Sequence, residues 1–409
     1  MQLRALSCLV PDPAEFVAAP PDAPVVWEMP EEPLSRLLTL ADVDRIVGQN
    51  LSSDKLRVVS DGVTVPVSSY LHGGRGSGRS NARSADSVRP SRVGGLLAKG
   101  STLVLDGLQH VWEPTAELCR RLSFESGSPV DASAFLTPAG GRGFRYHWDI
   151  ESVLLVQTMG SKTWHLHAPV RPLPLAHEWE ALSDADQERC RTREPDLAVD
   201  LRPGQVLWIP RGWIHGGHTT DRPSLHVSFG FLPFTRYWLA MRVIQAMDER
   251  RPEFDSLRHH LPMGIGSRPQ ALRVAVADVA AALVAALPYV DTDRTAADAA
   301  RGMRRDLLDA PMHSASLLSG TVTANTRVRL ISEHITGVDT LPDGRVTLSV
   351  GATAITVGEE PGRWLAGCRD QETDQPWCAS DMPPATGEET AVRLVRELLR
   401  TGAARRVTP

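Results

Sequence analysis

Between Ser101 and Phe234 the apolar residues come in short runs, β-branched, aromatic or leucine-rich, broken by glycine and proline. Thr102–Leu105, Val153–Thr158, Thr163–His167, Gln205–Ile209 and Leu225–Phe231 each read as a strand. Several short strands at this spacing predict a barrel or sandwich. After Arg236 the pattern changes. Tyr237–Met247 and Pro269–Leu287 repeat with helical spacing and few turn residues, so 236–318 is expected to be all-helical. Within it, Val279–Val290 is an apolar run of about 12 residues, too short to cross a bilayer, and it reads as a buried helix. Before the strands, residues 1–72 mix short apolar runs with prolines and carry a helix around Leu40–Val47. In the last ninety residues, Arg327–Ile331 fits a strand or a short helix. Pro342-Asp343-Gly344 is a turn before alternating Val346, Leu348 and Val350, and Ile355 and Val357 follow a second turn. Thr386 and Glu389 have the spacing of a capping box for a helix over Ala391–Arg400, ended by Gly402.

These textures divide the chain at 1–235, 236–318 and 319–409 and place it in the α+β class. The third part has the wing-like strands and terminal helix of a winged-helix-like domain. The stretch 73–92 holds five arginines against one aspartate among glycines and serines; such a composition buries little and predicts a flexible loop.

Composition adds modest constraints. With 409 residues, 42% hydrophobic and a net charge of −5, the chain is long enough for a sizeable core. Its mild acidity argues against nucleic acid as a partner, which would need clustered positive charge. Five scattered cysteines without a CxxC pair fit neither a disulfide framework nor a cysteine zinc site and suit a cytoplasmic protein. No membrane segment is expected. Of 44 basic residues only Lys55, Lys99 and Lys162 are lysines. In so arginine-rich a chain, each lysine is worth locating.

The chemistry concentrates in Thr137-Pro138-Ala139-Gly140-Gly141-Arg142-Gly143-Phe144-Arg145-Tyr146-His147-Trp148-Asp149. On a strand His147 and Asp149 would face one side and share a metal ion. Downstream, a strand leads into the turn Pro210-Arg211-Gly212-Trp213-Ile214-His215. Two histidines and one carboxylate are the donor set of the facial triad in non-haem Fe(II) oxygenases, which leaves positions open for a bidentate co-substrate and O2. Lys162 opens a strand on which Trp164 and Leu166 share its face, so its ammonium would sit above an apolar interior and need an anionic partner. The far carboxylate of 2-oxoglutarate is such a partner. Trp148 alternates away from the metal and reads as packing, while His165 and His167 alternate away from Lys162 and would face outward. His218 and His226 lie near enough to orient His215 or the substrate. Arg142 and Arg145 read as surface residues flanking the entrance.

Phe135–Pro169 together with Pro203–Phe231 resembles the JmjC-type cupin oxygenases, in particular their ribosomal oxygenase branch. The Thr-Pro-Ala-Gly stretch before His-x-Asp, the Gly-x-Lys-x-Trp strand and the Pro-x-Gly-Trp-x-His turn occur in that order. The resemblance implies a double-stranded β-helix barrel over 1–235, His147, Asp149 and His215 as iron ligands, and Lys162 pairing with the 2-oxoglutarate C5 carboxylate. It also implies a helical dimerisation region over 236–318, hence a homodimer, and the winged-helix-like domain. Phe135 departs from the pattern, standing where relatives often carry a tyrosine whose hydroxyl helps hold the co-substrate; either co-substrate binding is weaker here, or Thr137 or Ser228 compensates. The implied activity is Fe(II)-, 2-oxoglutarate- and O2-dependent hydroxylation of a protein or peptide side chain, of the ribosomal-protein histidine or arginine type. The rival readings are a non-catalytic binding scaffold and a tailoring hydroxylase of a peptide natural product or free amino acid.

Overall fold

Alternation with a two-residue period sorts the side chains of each strand onto two faces, and that sorting organises the first half of the chain. The computed structural model describes residues 4–49, 51–71, 86–247, 257–306, 321–350, 353–370 and 375–407. Its first eleven strands are β1 (Val25–Glu28), β2 (Leu56–Ser60), β3 (Val63–Thr64), β4 (Thr102–Leu105), β5 (Val130–Thr137) and β6 (Ser152–Gly160), then β7 (Lys162–His167), β8 (Leu197–Leu201), β9 (Gln205–Ile209), β10 (Ile214–His218) and β11 (Ser224–Phe231). Eight of them form one antiparallel sheet in the order β1-β9-β6-β11-β5-β4-β2-β3, and the other three a second sheet, β10-β7-β8.

On the outer face of the large sheet, Ala132, Ala134, Leu154, Val156, Val227 and Phe229 share a core with Leu6, Leu9, Val43 and Ile46 of the N-terminal helices. One of these helices, Leu40–Gly48, opens on a capping box between Thr39 and Asp42. On the inner face, Val153, Leu155, Leu207 and Ile209 meet Trp164, Leu166 and Leu201 of the small sheet. The two sheets therefore enclose an interior, and the remaining inward positions of β5, β6 and β11 line it.

The five predicted strands all exist. The pattern did not announce β5, with its Asp-Ala-Ser-Ala stretch, or β10, Ile-His-Gly-Gly-His. Both have weak intrinsic strand propensity and are held by pairing, β5 between β4 and β11 and β10 along β7. Of the expected loop 73–92, residues 73–85 lie outside the described residues. The rest is ordered: Ser87 and Val88 are buried, and Pro90–Leu97 is a helix.

Beyond residue 320, β12 (Val328–Leu330) pairs with β16 (Ala404–Arg406), and β13 (Ile335–Thr340), β14 (Val346–Val350) and β15 (Thr353–Val357) form an antiparallel meander. Leu348, Val350, Leu365, Trp377, Leu394 and Leu398 make a separate core between these strands and the helices Glu359–Asp370 and Glu388–Arg400. The Thr386–Glu389 capping box does not form. Thr386 ends a preceding 3-10 turn with its hydroxyl buried and unpartnered, and the helix starts instead from Gly387 at φ 71°. Arg369 lays its guanidinium 5.3 Å from the ring centroid of Phe124, on the helix Glu113–Ser126.

Residues 234–306 form a unit of their own. Its helices are Arg236–Gln245, Pro269–Ala286 and Thr292–Asp306, and Gly302 approaches the indole of Trp238. The expectation of a buried helix after Asp278 is corrected here. Leu272, Val274, Val276, Val279 and Val284 are exposed, because no described element of this unit covers that face. The helix expected over Pro269–Leu287 forms as Pro269–Ala286, and its apolar stretch is longer than Val279–Val290 because the turns before Asp278 are apolar as well. Over Pro269–Tyr289 it has the length and composition to cross a membrane.

Candidate active site

After β9 the chain reverses through Pro210-Arg211-Gly212-Trp213. Gly212 has a φ of 85°, and a Cβ there would come within 2.9 Å of the Arg171 carbonyl oxygen, so the turn needs glycine. Its N–H donates to the Asp149 carbonyl (2.9 Å), and His147 and His215 exchange two backbone hydrogen bonds of 3.1 and 2.8 Å. The segment from Arg142 to Asp149 is not the regular strand expected from the sequence. It is an irregular edge tied to β10 by isolated bridges, Arg142 to His218 and His147 to His215. This tie, rather than alternation along one strand, gathers His147, Asp149 and His215, whose ligand atoms lie within 4.8 Å of one another.

The histidine tautomers follow from their partners. His147 Nδ1 lies 2.9 Å from the Arg145 carbonyl oxygen and His215 Nδ1 lies 3.0 Å from that of Trp213. A carbonyl only accepts, so each Nδ1 carries a proton and the Nε2 of each ring is the nitrogen left for a metal. Burial and the neighbouring His147 push the His215 pKa down to about 4, which keeps that ring neutral. Two imidazole nitrogens and one carboxylate, gathered beside a cavity of about 550 Å³, fit a facially bound divalent transition metal.

Lys162, the first residue of β7, reaches into this cavity and is only 3% exposed. Its ammonium lies 3.5 Å from the Thr137 hydroxyl and 4.9 Å from the Trp164 ring centroid, with no carboxylate among the described residues forming an ion pair with it. Burial pushes its pKa down to about 7. Two glycines make the space: a Cβ on Gly143 would sit 3.4 Å from the ammonium, and one on Gly217 would sit 2.8 Å from Lys162 Cε. Thr137 is fully buried and stands behind the lysine, bonded also to Thr102 (3.2 Å), rather than lining the cavity. Ser228 lines it directly, opposite Ser133 in the β11–β5 register. Phe135 lines it with an apolar ring.

The other inward residues have the opposite charge. Asp131 and Glu151 line the cavity, and their carboxyl oxygens converge on Gly230, where a Cβ would lie 2.7 Å from Asp131 Oδ1 and 3.1 Å from Glu151 Oε2. Burial, reinforced by the Asp131 and Asp149 carboxylates, pushes the Glu151 pKa up to about 7, and burial raises that of Asp131. The lining also includes Phe144, Tyr146, Glu180 and Trp179, the last 61% exposed.

Among the other histidines, His165 and His167 stay out of the cavity lining. His167 is nevertheless buried, because Tyr146 covers it at 5.4 Å between ring centroids. His218 packs on His165 (5.6 Å), whereas His226 lines the cavity. Trp148 packs with Cys190 and Ile214. Arg145 lines the cavity beside Asp184 (3.9 Å), and Arg142 does not. Sequence reasoning passed over Asp131 and Glu151. The signal for Asp131 was parity with Phe135, usable only once β5 is known to be a strand.

Residues 108–238 match the JmjC domain family. Among curated proteins, the chain is 39% identical over 121 residues to ribosomal oxygenase 2 of Mus musculus, covering 30% of this chain and 24% of that protein. It is 30% identical over 152 residues to the bifunctional lysine-specific demethylase and histidyl-hydroxylase NO66 of Drosophila persimilis, covering 36% and 21%. The matched region thus spans about a fifth to a quarter of the length of these relatives. Among solved structures, the Escherichia coli ribosomal oxygenase YcfD aligns over 98% of this chain and 99% of that one, with a TM-score of 0.52 at 16% identity. A second structure of it, in complex with cobalt and 2-oxoglutarate, gives a TM-score of 0.51 over 96% and 98%, also at 16% identity. These likenesses extend the shared fold across the chain, and the domain match is the specific one: residues 108–238 are similar to the JmjC domain.

Proposed function

We propose that the chain is an Fe(II)- and 2-oxoglutarate-dependent hydroxylase acting on a basic side chain, arginine or histidine, of a protein such as a ribosomal protein. The observation that carries this reading is a single cavity holding both a two-histidine, one-carboxylate donor set and a buried lysine without an anion. His147, Asp149 and His215 hold the metal through two Nε2 atoms and a carboxylate oxygen. Lys162 pairs with the far carboxylate of the 2-oxo acid, and Trp164 and Phe135 exclude water around that charge. Bound there, iron with 2-oxoglutarate and O2 supplies the chemistry that places one oxygen atom on a substrate C–H bond, with succinate and CO2 as the other products.

The acidic side of the cavity favours a basic substrate. Asp131 and Glu151 offer carboxylates to a guanidinium or imidazolium, and Trp179 offers an indole face at the mouth. The region beyond residue 320, read as a winged-helix-like domain, serves docking or assembly. Residues 234–306 mediate a homodimer through the exposed valines of Pro269–Ala286. The five free cysteines accord with a cytoplasmic setting.

The test is turnover. Purified protein with Fe(II), ascorbate and 2-oxoglutarate is expected to release succinate, and more of it with arginine- or histidine-bearing ribosomal peptides, which should gain one oxygen atom by mass spectrometry. Absence of succinate, together with no thermal shift on adding 2-oxoglutarate, overturns the reading.

A further inference from the structure

At the lysine end of the cavity, one buried polar ring has no task in the reading above. His226 lies on β11 directly opposite Phe135 on β5, and the two rings stack at 4.8 Å with planes 7° apart. Trp164 meets the imidazole edge-on from the other side at 5.3 Å. The residue is 1% exposed and lines the cavity, and its Nδ1 is buried without a hydrogen-bond partner. Buried polar groups are ordinarily satisfied, so a cavity-wall imidazole that makes no hydrogen bond among the described residues marks a place for a ligand atom.

The surroundings define that ligand. Lys162 and His226 pack on the same indole, so the ammonium and the imidazole serve one region of the cavity. Burial, with Lys162 alongside, holds the His226 pKa well below its ordinary value; the ring is neutral and carries one N–H. A carboxylate has about four lone-pair sites, and a single ammonium leaves most of them unmet. Phe135 brings no polar atom to this wall, and the Thr137 hydroxyl is turned to the lysine. Stacking fixes the imidazole plane, so its donor is aimed before the ligand arrives.

We propose that the His226 imidazole donates the second hydrogen bond to the far carboxylate of the 2-oxo diacid, and that it selects this diacid over 2-oxo monocarboxylic acids. Lys162 supplies the charge and His226 the direction. The inference rests on the co-substrate reading above, and its test separates the two.

The test uses the full chain loaded with Co(II) and titrated in a calorimeter with 2-oxoglutarate or with 2-oxobutyrate, which keeps the 2-oxo acid head but lacks the far carboxylate. His226→Phe is expected to weaken 2-oxoglutarate binding by roughly 10- to 100-fold, the size of one hydrogen bond to a charged group. Binding of 2-oxobutyrate should stay within about twofold of wild type, since it never meets the ring. His226→Asn and His226→Gln place an amide N–H near one ring nitrogen or the other, and at least one of them is expected to recover most of the loss. Equal weakening of both ligands, or of neither, overturns the proposal, as does failure of both amide variants to recover binding. If the phenylalanine variant does not fold, His226→Leu takes its place. Wild-type protein that binds no 2-oxoglutarate would overturn the co-substrate reading itself, and the proposal with it.

Discussion

On the proposed reading, Lys162 shows at the residue scale how function and stability oppose each other. An ammonium whose pKa falls from 10.5 to about 7 on folding is a liability to the fold alone. The unfolded chain takes up this proton below about pH 10.5, whereas the native protein resists until about 7. The resulting loss of stability is absent above pH 10.5, grows as the pH falls toward 7 and is constant below it. At its full extent the shift corresponds to at most about 5 kcal/mol. Lys162→Met should therefore raise the melting temperature at pH 7, by an amount that shrinks as the pH approaches 10.5, while weakening 2-oxoglutarate binding. A lower melting temperature at every pH would show that the lysine stabilises the fold. Gly217 tests the same geometry from outside: with a Cβ 2.8 Å from Lys162 Cε, Gly217→Ala should cost about tenfold in 2-oxoglutarate affinity and leave metal affinity unchanged. Equal loss of both would place the damage at the metal ligands.

At the scale of elements, β11 works on both faces. Leu225, Val227 and Phe229 build the outer core while His226, Ser228 and Gly230 line the cavity. Phe229 is fully buried, so Phe229→Ala should cost about 3–5 kcal/mol in urea unfolding. A cost below about 1 kcal/mol would mean that the outer core collapses around the gap. The helix Pro269–Ala286 presents the opposite case, a strong apolar pattern without cover among the described residues of its own unit. Val276→Glu is expected to convert a dimer to a monomer by light scattering. A wild-type protein that is monomeric at all concentrations overturns the homodimer, and co-sedimentation with lipid vesicles would assign the face to a membrane instead.

For the whole molecule, the cavity joins a cationic site at Lys162 to an acidic one at Asp131 and Glu151, with His147, Asp149 and His215 in the same lining. Asp131→Asn should raise KM for an arginine-bearing peptide at least about fivefold while leaving uncoupled succinate release unchanged. An unchanged KM removes Asp131 from substrate recognition. Little of this acidic side was legible in the sequence. The donor set was, because His-x-Asp, the glycine turn before His215 and the lone lysine before Trp164 are local patterns whose chemistry depends on residue type. The strand imagined through His147 and Asp149 was wrong, yet the grouping held, because cross-strand hydrogen bonds to β10 do what alternation was expected to do. His226, Asp131 and Gly230 could not be ranked in advance: their roles depend on the register that sets β5 against β11, and pairing across ninety or more residues leaves no mark in a single chain. The sequence by itself determined the strand-rich core, the choice of two histidines and a carboxylate as one donor set, and the lysine facing the interior, since those follow from side-chain chemistry and short-range period. Only the tertiary structure decided which faces are covered, which polar atoms are left without partners and which carboxylates converge, because each of these depends on what a distant segment brings to the same space.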